Sequence, residues 1–385
     1  MKITFLKKGY SPVGGSEVLT YELATRLAAR GHAVRVLCQW PAGERYGFPP
    51  RQSLRRETRE YRLFWHRGVE IYQLLPRLGG LGRRLDVLSP FNLLRGGLAL
   101  ALAGRPEVIH NVCREYAPQA LALSRALGAR LVLTPLAHPG QFWAGDRATD
   151  VALYRQADAV VALTGAEKRW YAARGVTGDR VHVVGLGPCL AAPGDGAAFR
   201  HQYNLAGPVV LFIGRKEPYK GVGALVRAAA LVWQRQPATH FVFIGEGSFF
   251  DLFADPFRSR QDPRFLNLPR VDEASKANAY AACDVFCLPS RHETFGMVYA
   301  EAWLCGKPVV GGDIPTLRDV IADGSDGFCV PQRPEAIAGA LLRLLDDPAL
   351  RARLGEAGRR KVADRFNWDE VVRQHEALYE RLLCR

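Results

Sequence analysis

Short apolar runs alternate along the chain with stretches of helical periodicity. Residues 3–6 and 34–37 are predicted strands, and Leu19, Leu23 and Leu27 between them lie four positions apart, on one face of a predicted helix. A strand, a helix and a second strand in this order form the building unit of a parallel sheet with helices packed on its faces. The pattern therefore predicts an α/β fold of the doubly wound kind.

The order of strand and then helix recurs in both halves of the chain. The further predicted strands are residues 108–110, 131–134, 159–163, 181–184, 209–213, 241–244, 284–289 and 309–312. Residues 191–196 contain one proline and two glycines and are typical of a linker. We therefore expect one domain at residues 1–190, a second at residues 191–365, and an amphipathic helix within residues 366–385.

Residues 41–95 show no clear period. They contain eleven arginines, and the glycine-rich residues 78–82 predict a mobile loop. The structure of residues 41–105 is left open by the sequence.

Composition narrows the class of protein. The 385 residues are 48% hydrophobic and 23% charged, which is ordinary for a globular chain with two or three domains' worth of core. No apolar run approaches the roughly 18–20 residues that span a bilayer, and the N-terminus has no adequate apolar segment for a signal peptide. We expect a soluble cytoplasmic protein.

Cysteine and carboxylate spacing predicts no metal and no cofactor. The eight cysteines include no C-x-x-C pair, and most lie in apolar segments, where a free cysteine packs as a small hydrophobe. The chain also contains no D-x-D pair of carboxylates for a divalent cation.

Positive charge is concentrated in the first half. The net charge is +13 over residues 1–190 and +1 over residues 191–385. Within residues 51–65 five arginines cluster beside the apolar side chains of Leu54, Leu63, Phe64 and Trp65; they are Arg51, Arg55, Arg56, Arg59 and Arg62. This mixture suits peripheral contact with an anionic membrane or an acidic acceptor, although arginines that merely solvate the surface are the alternative. The arginines are not interleaved with aromatic residues as in nucleic-acid binders, so we expect no nucleic-acid partner.

Two segments of the second half carry candidate chemistry. Residues 214–221 follow a predicted strand and present Arg215 and Lys220 between glycines, which suits a diphosphate, although a solvated basic loop is the alternative. Glu293 and Glu301 flank the start of a further predicted helix, and eight residues of helix rise about 12 Å. Two carboxylates so spaced suit the two ends of a nucleotide diphosphate sugar. Two unrelated glutamates are the alternative.

Two candidates lie at strand ends of the first half. Gly14 and Gly15 stand before the first predicted helix, where glycine lets a ligand approach the backbone closely, although a plain turn is the alternative. They do not form the G-x-G-x-x-G pattern of nicotinamide-cofactor sites. His138 follows the predicted strand 131–134 and faces the crevice of an open sheet. A purely structural histidine is the alternative.

In this order, the segments resemble the GT-B glycosyltransferases, specifically the retaining family 4. The matching segments are Gly14-Gly15 with its helix to Gly31-His32, residues 214–221, residues 293–301, and Phe366-x-Trp368 at the start of the last helix. The resemblance covers nearly the whole chain except about residues 41–105. It implies two Rossmann-like domains facing across a cleft, with the C-terminal helix crossing back to the N-terminal domain.

The resemblance also implies a reaction and a set of residues. The reaction is transfer of a hexose-type sugar from a nucleotide diphosphate sugar to a hydroxyl of a glycan, a glycolipid or a small molecule, with retained anomeric configuration and without a metal. Donor binding falls to Gly14, Gly15, Arg215, Lys220, Val271, Glu293, Phe295, Gly296, Met297, Val298 and Glu301. Catalysis falls to His138, Arg215, Lys220 and Glu293.

The resemblance implies that different residues bind different parts of the donor. Arg215 and Lys220 hold the diphosphate, Glu293 meets the sugar beside the backbone amides of residues 295–298, and Glu301 accepts from the ribose hydroxyls. Val271 falls where the nucleobase edge is held. The departure is at residues 185–188, Gly-Leu-Gly-Pro, which replace the family's Asn-Gly turn at the domain junction.

Two other classes of function remain open at this point. One is a nucleotide-sugar hydrolase or epimerase on the same fold, which free sugar or epimer formed without an acceptor would reveal. The other is a non-enzymatic basic binding protein, which the charge of the first half favours and the intact donor set disfavours. The nucleobase, the sugar, the acceptor, the linkage and the oligomeric state are also open.

Overall fold

The structure is a computed structural model that describes residues 1–12, 14–39, 48–75, 104–138, 145–247 and 262–384. The chain forms two compact units. Unit 1 consists of Met1–Gly185 and Trp368–Arg385, and unit 2 is Leu186–Asn367. Each is a largely parallel sheet with connecting helices, so the predicted α/β class with two Rossmann-like domains is confirmed.

The first unit is built on a mixed sheet with parallel strands at its centre. Its strands are β1 (Lys2–Leu6), β2 (Ala33–Cys38), β3 (Leu54–Glu57), β4 (Tyr61–His66), β5 (Val69–Leu74), β6 (Val108–Val112), β7 (Arg130–Thr134), β8 (Ala159–Ala162) and β9 (Val181–Val183). The helices between them are α1 (Gly15–Ala29), α2 (Ala117–Leu127), α3 (Ala148–Tyr154) and α4 (Gly165–Ala173). All five residues of β6 are buried, as expected for a strand covered by helices on both faces.

Strand order places the glycine-rich loop of unit 1 at a topological switch point. The order across the described sheet is β3-β4-β5-β2-β1-β6-β7-β8-β9. β2 pairs with one side of β1, and β6 pairs with the other side. Both pairs are parallel. The carboxyl ends of β1 and β6 therefore border a crevice of the kind where open α/β sheets bind ligands.

Three strands lie within residues 41–95, whose structure the sequence left open. β3 pairs antiparallel with β4, and β4 with β5, which extends the sheet beyond β2. Arg67 and Gly68 connect β4 to β5 with φ values of 47° and 78°, and two positive φ values are typical of the type I′ turn of a two-residue hairpin. The strand β3 was not predicted because all four of its residues are exposed, and an exposed edge strand carries no apolar period. The predicted mobile loop at residues 78–82 lies outside the described residues.

Unit 2 contains a parallel sheet. Its strands are β10 (Val209–Ile213), β11 (His240–Ile244), β12 (Phe265–Leu268), β13 (Val285–Leu288), β14 (Val309–Gly312) and β15 (Gly327–Val330). Its helices are α5 (Gly196–Gln202), α6 (Val222–Trp233), α7 (Glu273–Ala282), α8 (Met297–Leu304), α9 (Pro315–Val320), α10 (Pro334–Leu345) and α11 (Pro348–Asp364). The order β12-β11-β10-β13-β14-β15 reverses between β10 and β13, so their carboxyl ends border the switch point of this unit.

The last helix, α12 (Trp368–Leu383), packs on unit 1 through buried polar groups. His110 Nδ1, at the centre of β6, lies 2.7 Å from the Tyr379 hydroxyl, and the His110 and His375 rings stack with centroids 5.7 Å apart. At the surface, Glu376 accepts from Arg30 at 2.6 Å and lies 2.8 Å from His32 Nε2. Among the helices that the structure describes, none has the length and apolarity needed to cross a membrane.

Acid should weaken the attachment of α12 through His375. Burial lowers the pKa of His375 from 6.5 to about 4, although a hydrogen bond to the Val371 carbonyl opposes the shift. Between these two pH values the unfolded chain binds more protons than the native one, so stability falls as the pH falls. Over the whole window we expect a loss on the order of 3 kcal/mol from this residue.

Urea denaturation of the wild type and of His375→Gln at pH 7 and pH 5 measures this effect. The variant cannot take up a proton, so its free energy of unfolding should change less between the two pH values. The matched control is His201→Gln, because His201 is exposed; it should keep the wild-type pH dependence. Equal pH dependence in wild type and His375→Gln would contradict the assignment.

Candidate active site

The candidate site of unit 2 is formed by the loops that follow β10 and β13. Because these strands are parallel neighbours, their carboxyl ends lie side by side, and their loops meet. Residues 214–221 form the first loop and residues 289–296 the second. The Tyr219 carbonyl in the first accepts from the Arg291 amide in the second at 2.8 Å. The two predicted motifs are therefore in direct contact.

Gly221 allows this close approach. The first loop ends in a 3-10 turn, Pro218–Lys220, and Gly221 follows with φ of 85° just before α6. A Cβ atom at this position would lie 2.6 Å from the Pro289 carbonyl oxygen and 2.8 Å from the Gln332 amide nitrogen. Only glycine combines the left-handed backbone with room for these neighbours.

Lys220 and Glu293 form an ion pair across the two loops. The Lys220 ammonium donates to Glu293 Oε1 at 2.5 Å, and the side chains are 15% and 9% exposed. The Glu293 backbone is held as well, since the Thr316 hydroxyl donates to its carbonyl at 2.8 Å. The residues predicted for the diphosphate and for the sugar are thus neighbours.

The helix after Glu293 begins later in the chain than the spacing of Glu293 and Glu301 predicted. α8 begins at Met297, so Glu293 precedes it by four residues, and the rise of an eight-residue helix does not describe the separation of Glu293 and Glu301. Gly296 makes the turn with φ of 79°, where a Cβ atom would clash with the Tyr299 ring. The first amides of α8 have no acceptor within their own helix, which makes this end attractive for anions.

Phe295 contributes its backbone to this turn, because its side chain is buried. The ring is 1% exposed and packs edge-on against Phe366 with centroids 5.0 Å apart. Tyr299 fastens α8 to the sheet, since its hydroxyl donates to the Leu288 carbonyl at 2.6 Å. The start of α8, including Met297 and Val298, is therefore held in place by packing beneath it.

Glu301 lies in a separate buried polar cluster. It is 2% exposed, and it accepts from the Tyr280 hydroxyl at 2.8 Å and from the Lys276 ammonium at 3.2 Å. Burial opposes the charge of Lys276, but Glu301 and then Glu273 raise its pKa above the usual value. Lys276 and Tyr280 are four residues apart on α7, so both side chains reach the same carboxylate.

A buried lysine, Lys216, links the first loop to β12. The Lys216 ammonium donates to the Leu268 carbonyl at 2.6 Å and to the Asn267 side chain at 2.5 Å. Val271, the residue expected near the nucleobase, lies three residues beyond in the connection from β12 to α7. Lys216 thereby holds the end of β12, from which that connection starts.

The remaining predicted residues belong to unit 1. Gly14 has φ of 113° and immediately precedes α1, which begins at Gly15. His138 lies in the loop that follows β7, at the same edge of the sheet. Lys7 is 2% exposed, and its ammonium donates to Ser16 Oγ, at the start of α1, at 2.7 Å and to Cys113 Sγ at 2.8 Å.

Several contacting residues were not predicted from the sequence. They are Lys7, Lys216, Tyr219, Lys276, Tyr280, Thr316 and Gln332. The four-residue spacing of Lys276 and Tyr280 indicates a shared helical face, but only the fold shows that this face meets α8. Across the described ranges no group of three or more His, Cys, Asp or Glu side chains is placed to hold a metal ion.

Comparison with known families matches both units. Residues 197–361 match the model of glycosyl transferases group 1, and residues 14–187 match that of the glycosyl transferase 4-like domain. The two matches together span most of the chain, and the chain belongs to the group 1 glycosyltransferases. The predicted resemblance to GT-B family 4 enzymes is confirmed.

Curated relatives and solved structures agree with this family. The chain is 37% identical over 222 residues to D-inositol 3-phosphate glycosyltransferase of Jonesia denitrificans, covering 53% of this chain and 52% of the relative. It is 37% identical over 185 residues to phosphatidyl-myo-inositol mannosyltransferase of Mycobacterium tuberculosis, covering 46% and 48%. The matches thus span about half the length of these relatives. The crystal structure of Anabaena Alr3699/HepE in complex with UDP-glucose has the same fold, with a TM-score of 0.79, 21% identity and coverage of 99% and 100%.

Proposed function

We propose that this chain transfers a hexose from a nucleotide diphosphate sugar to an acceptor hydroxyl, with retention of the anomeric configuration and without a metal. The observation that carries the proposal is the Lys220–Glu293 pair at the switch point of unit 2. It places a fixed cation and a carboxylate side by side at the end of two parallel strands, next to a helix N-terminus. Such a site suits a ligand with an anionic middle and a hydroxylated end.

Charge on the leaving group is the main demand of this reaction. Glycosyl transfer passes through an oxocarbenium-like state, while negative charge grows on the departing diphosphate. Arg215, Lys220 and the first amides of α8 would stabilise that charge. Glu293 would accept hydrogen bonds from the sugar hydroxyls. Because Glu293 also pairs with Lys220, it would keep the ammonium between the sugar and the leaving phosphate.

Retention follows from attack on the same face as departure. We favour this front-side course, in which the leaving phosphate oxygen takes the proton of the acceptor hydroxyl. The new bond joins the acceptor oxygen to the anomeric carbon, the bond from that carbon to the phosphate oxygen breaks, and a nucleoside diphosphate is released. By resemblance to the family, His138, Gly14 and Gly15 would also contact the donor.

Glu301 would bind the ribose. Its carboxylate already accepts from Tyr280 and Lys276, and these contacts fix its orientation before a nucleotide arrives. The remaining acceptor capacity of the two oxygens suits vicinal hydroxyls. Val271 would lie at the nucleobase edge.

Unit 1 would receive the acceptor, and its basic surface favours an anionic one. The names of two relatives specify an inositol phosphate and a phosphatidyl-inositol as their acceptors. We propose an acceptor of that chemistry, a phosphorylated polyol or a lipid-linked phosphate, for this chain.

The β3–β4 edge would contact an anionic membrane. Arg55, Arg56 and Arg59 are exposed there, beside Leu54 and Trp65, whose exposed fractions are 37% and 46%. The patch is smaller than the sequence indicated, because Phe64 is buried and Arg62 pairs with Glu57 at 2.7 Å. Each basic residue near an anionic surface contributes about 1 kcal/mol to the free energy of membrane binding. The side chains of Leu54 and Trp65 would insert among the lipids.

The stereochemistry and metal dependence of transfer test the proposed reaction. UDP-, GDP- and ADP-hexoses are incubated with myo-inositol phosphates and phosphatidylinositol in excess EDTA, and the product is examined by proton NMR. We expect activity to persist in EDTA, and the product to have the anomeric configuration of the donor. An inverted product, or a loss that added metal restores, would overturn the mechanism. Free sugar in place of transfer product would identify a hydrolase.

The two glutamates should differ in their effect on nucleotide binding. Glu301→Gln should weaken binding of the bare nucleoside diphosphate by about tenfold to a hundredfold, because it removes charge-assisted bonds to ribose. Glu293→Gln should leave that affinity within about threefold, since it also releases Lys220 for the diphosphate, and should instead lower kcat. Calorimetry measures the nucleotide affinity of both variants, and a transfer assay measures kcat. The matched control is Glu335→Gln, because Glu335 is exposed. Equal weakening by the two variants would refute the division of roles.

Membrane contact is tested by liposome flotation. The chain should float with vesicles that contain anionic lipid and not with neutral ones, and binding should fall steeply as salt rises. Charge reversal of Arg55, Arg56 and Arg59 to Glu should abolish flotation. The charge-matched control reverses Arg227, Arg353 and Arg360, three exposed arginines of unit 2. No flotation at low salt, or equal loss in both triple variants, would exclude the proposed patch.

A further inference from the structure

Tyr219 contacts both cations of the candidate diphosphate site. It lies in the 3-10 turn Pro218–Lys220, directly before Lys220 and four residues after Arg215. The Arg215 guanidinium donates to the Tyr219 hydroxyl at 2.5 Å. The Lys220 ammonium lies 5.3 Å from the centre of the Tyr219 ring, within the range of a cation–π contact. One side chain therefore touches two groups that are five residues apart in sequence.

The backbone of Tyr219 is fixed independently of its side chain. Its carbonyl accepts from the Arg291 amide at 2.8 Å, from the Gln332 side chain at 2.9 Å and from Ser290 Oγ at 3.3 Å. These three donors come from the loop after β13 and from the segment after β15. A substitution at Tyr219 leaves all of them in place, so the side chain can be changed without removing the attachment of the loop.

Arg215 and Lys220 both need such support. Arg215 is exposed, and a free arginine side chain loses about 1.5–2 kcal/mol of rotamer entropy when a ligand orders it. A hydroxyl on a fixed ring orders part of that side chain beforehand. Lys220 is held from two sides, by the Glu293 carboxylate and by the electron-rich face of the ring. The tyrosine therefore provides a neutral contact that leaves the positive charge of both groups available.

We propose that Tyr219 is a positioning residue for the donor diphosphate, with its hydroxyl orienting Arg215 and its ring orienting Lys220. The inference rests on the proposed function, in which these two cations bind the diphosphate. In this proposal the Tyr219 side chain places Arg215 and Lys220 before the donor binds, and Tyr219 itself need not touch the donor. Loss of the hydroxyl and loss of the ring should therefore have separate effects, each acting through one cation.

The experiment compares Tyr219→Phe, which removes only the hydroxyl, with Tyr219→Leu, which also removes the ring. Binding of UDP, GDP and ADP is measured by calorimetry, and the tightest of the three serves as the probe. We expect Tyr219→Phe to weaken binding about threefold to tenfold, in the range of a single hydrogen bond to a charged group with partial exposure. Tyr219→Leu should weaken it by a further factor of about three.

Two controls accompany these variants. Tyr203→Phe makes the same chemical change at the end of α5, where the ring packs on Phe199, and it should bind the probe like the wild type. Thermal unfolding of every variant checks the fold, and the Tyr219 variants should melt like the wild type because the backbone contacts persist. If Tyr219→Leu melts at a lower temperature than the wild type, the test rests on Tyr219→Phe, which removes a single oxygen atom.

Coupling distinguishes positioning from a general disturbance of the loop. In an Arg215→Ala background, Tyr219→Phe should change affinity less than about twofold, because the partner of the hydroxyl is gone. In a Lys220→Ala background, the step from Phe to Leu should likewise have no effect. A structural role would give the same loss in every background.

The outcomes separate the two proposals. If Arg215→Ala and Lys220→Ala each weaken binding of the probe but Tyr219→Phe binds it normally, the role of Tyr219 is wrong and the donor site stands. The role of Tyr219 is also wrong if its losses are simply additive with those of the cations. If neither cation variant affects the probe, the assignment of the diphosphate site itself fails, and the inference on Tyr219 fails with it.

Discussion

The Lys220–Glu293 pair depends on one constraint, the order of strands in the sheet of unit 2. The two residues are 73 positions apart in sequence, yet their loops meet because β10 and β13 are parallel neighbours. A parallel sheet brings all carboxyl ends to one edge, and the reversal of strand order between these two opens a crevice there. The rest of the candidate site, including the turn into α8 and the contacts of Tyr219, is arranged around that meeting point.

Buried polar contacts give the site its rigidity. Glu301 is withdrawn from solvent, and a carboxylate in that position is stable only when donors satisfy it. Tyr280 and Lys276 do so from a neighbouring helix, and Lys216 holds the end of β12 in a similar way. Each of these contacts is made before any ligand arrives. A group that is already oriented loses less freedom on binding, which is why such contacts matter for a nucleotide site.

Unit 1 combines a basic edge with a terminal helix held by buried histidines. The antiparallel strands β3 and β4 lengthen its sheet on one side and carry exposed arginines, whereas α12 covers β6 through His110, His375 and Tyr379. The first feature places exposed positive charge along one edge of the sheet, and the second joins the end of the chain to its first half. Membership of the group 1 glycosyltransferases accounts for the Rossmann-like sheets of both units.

The sequence alone determined the fold class, most strands and the residues at their ends. These follow from local signals: apolar runs, helical spacing and glycines before helices act over a few residues. The resemblance to the family rests on the same segments. The tertiary structure decided which of them touch. The Lys220–Glu293 contact, the reach of Tyr280 and Lys276 to Glu301 and the placing of Tyr219 between two cations all depend on strand order and helix orientation, which no local period encodes. The edge strand β3 needed the structure for another reason, because all four of its residues are exposed and only its pairing with β4 defines it.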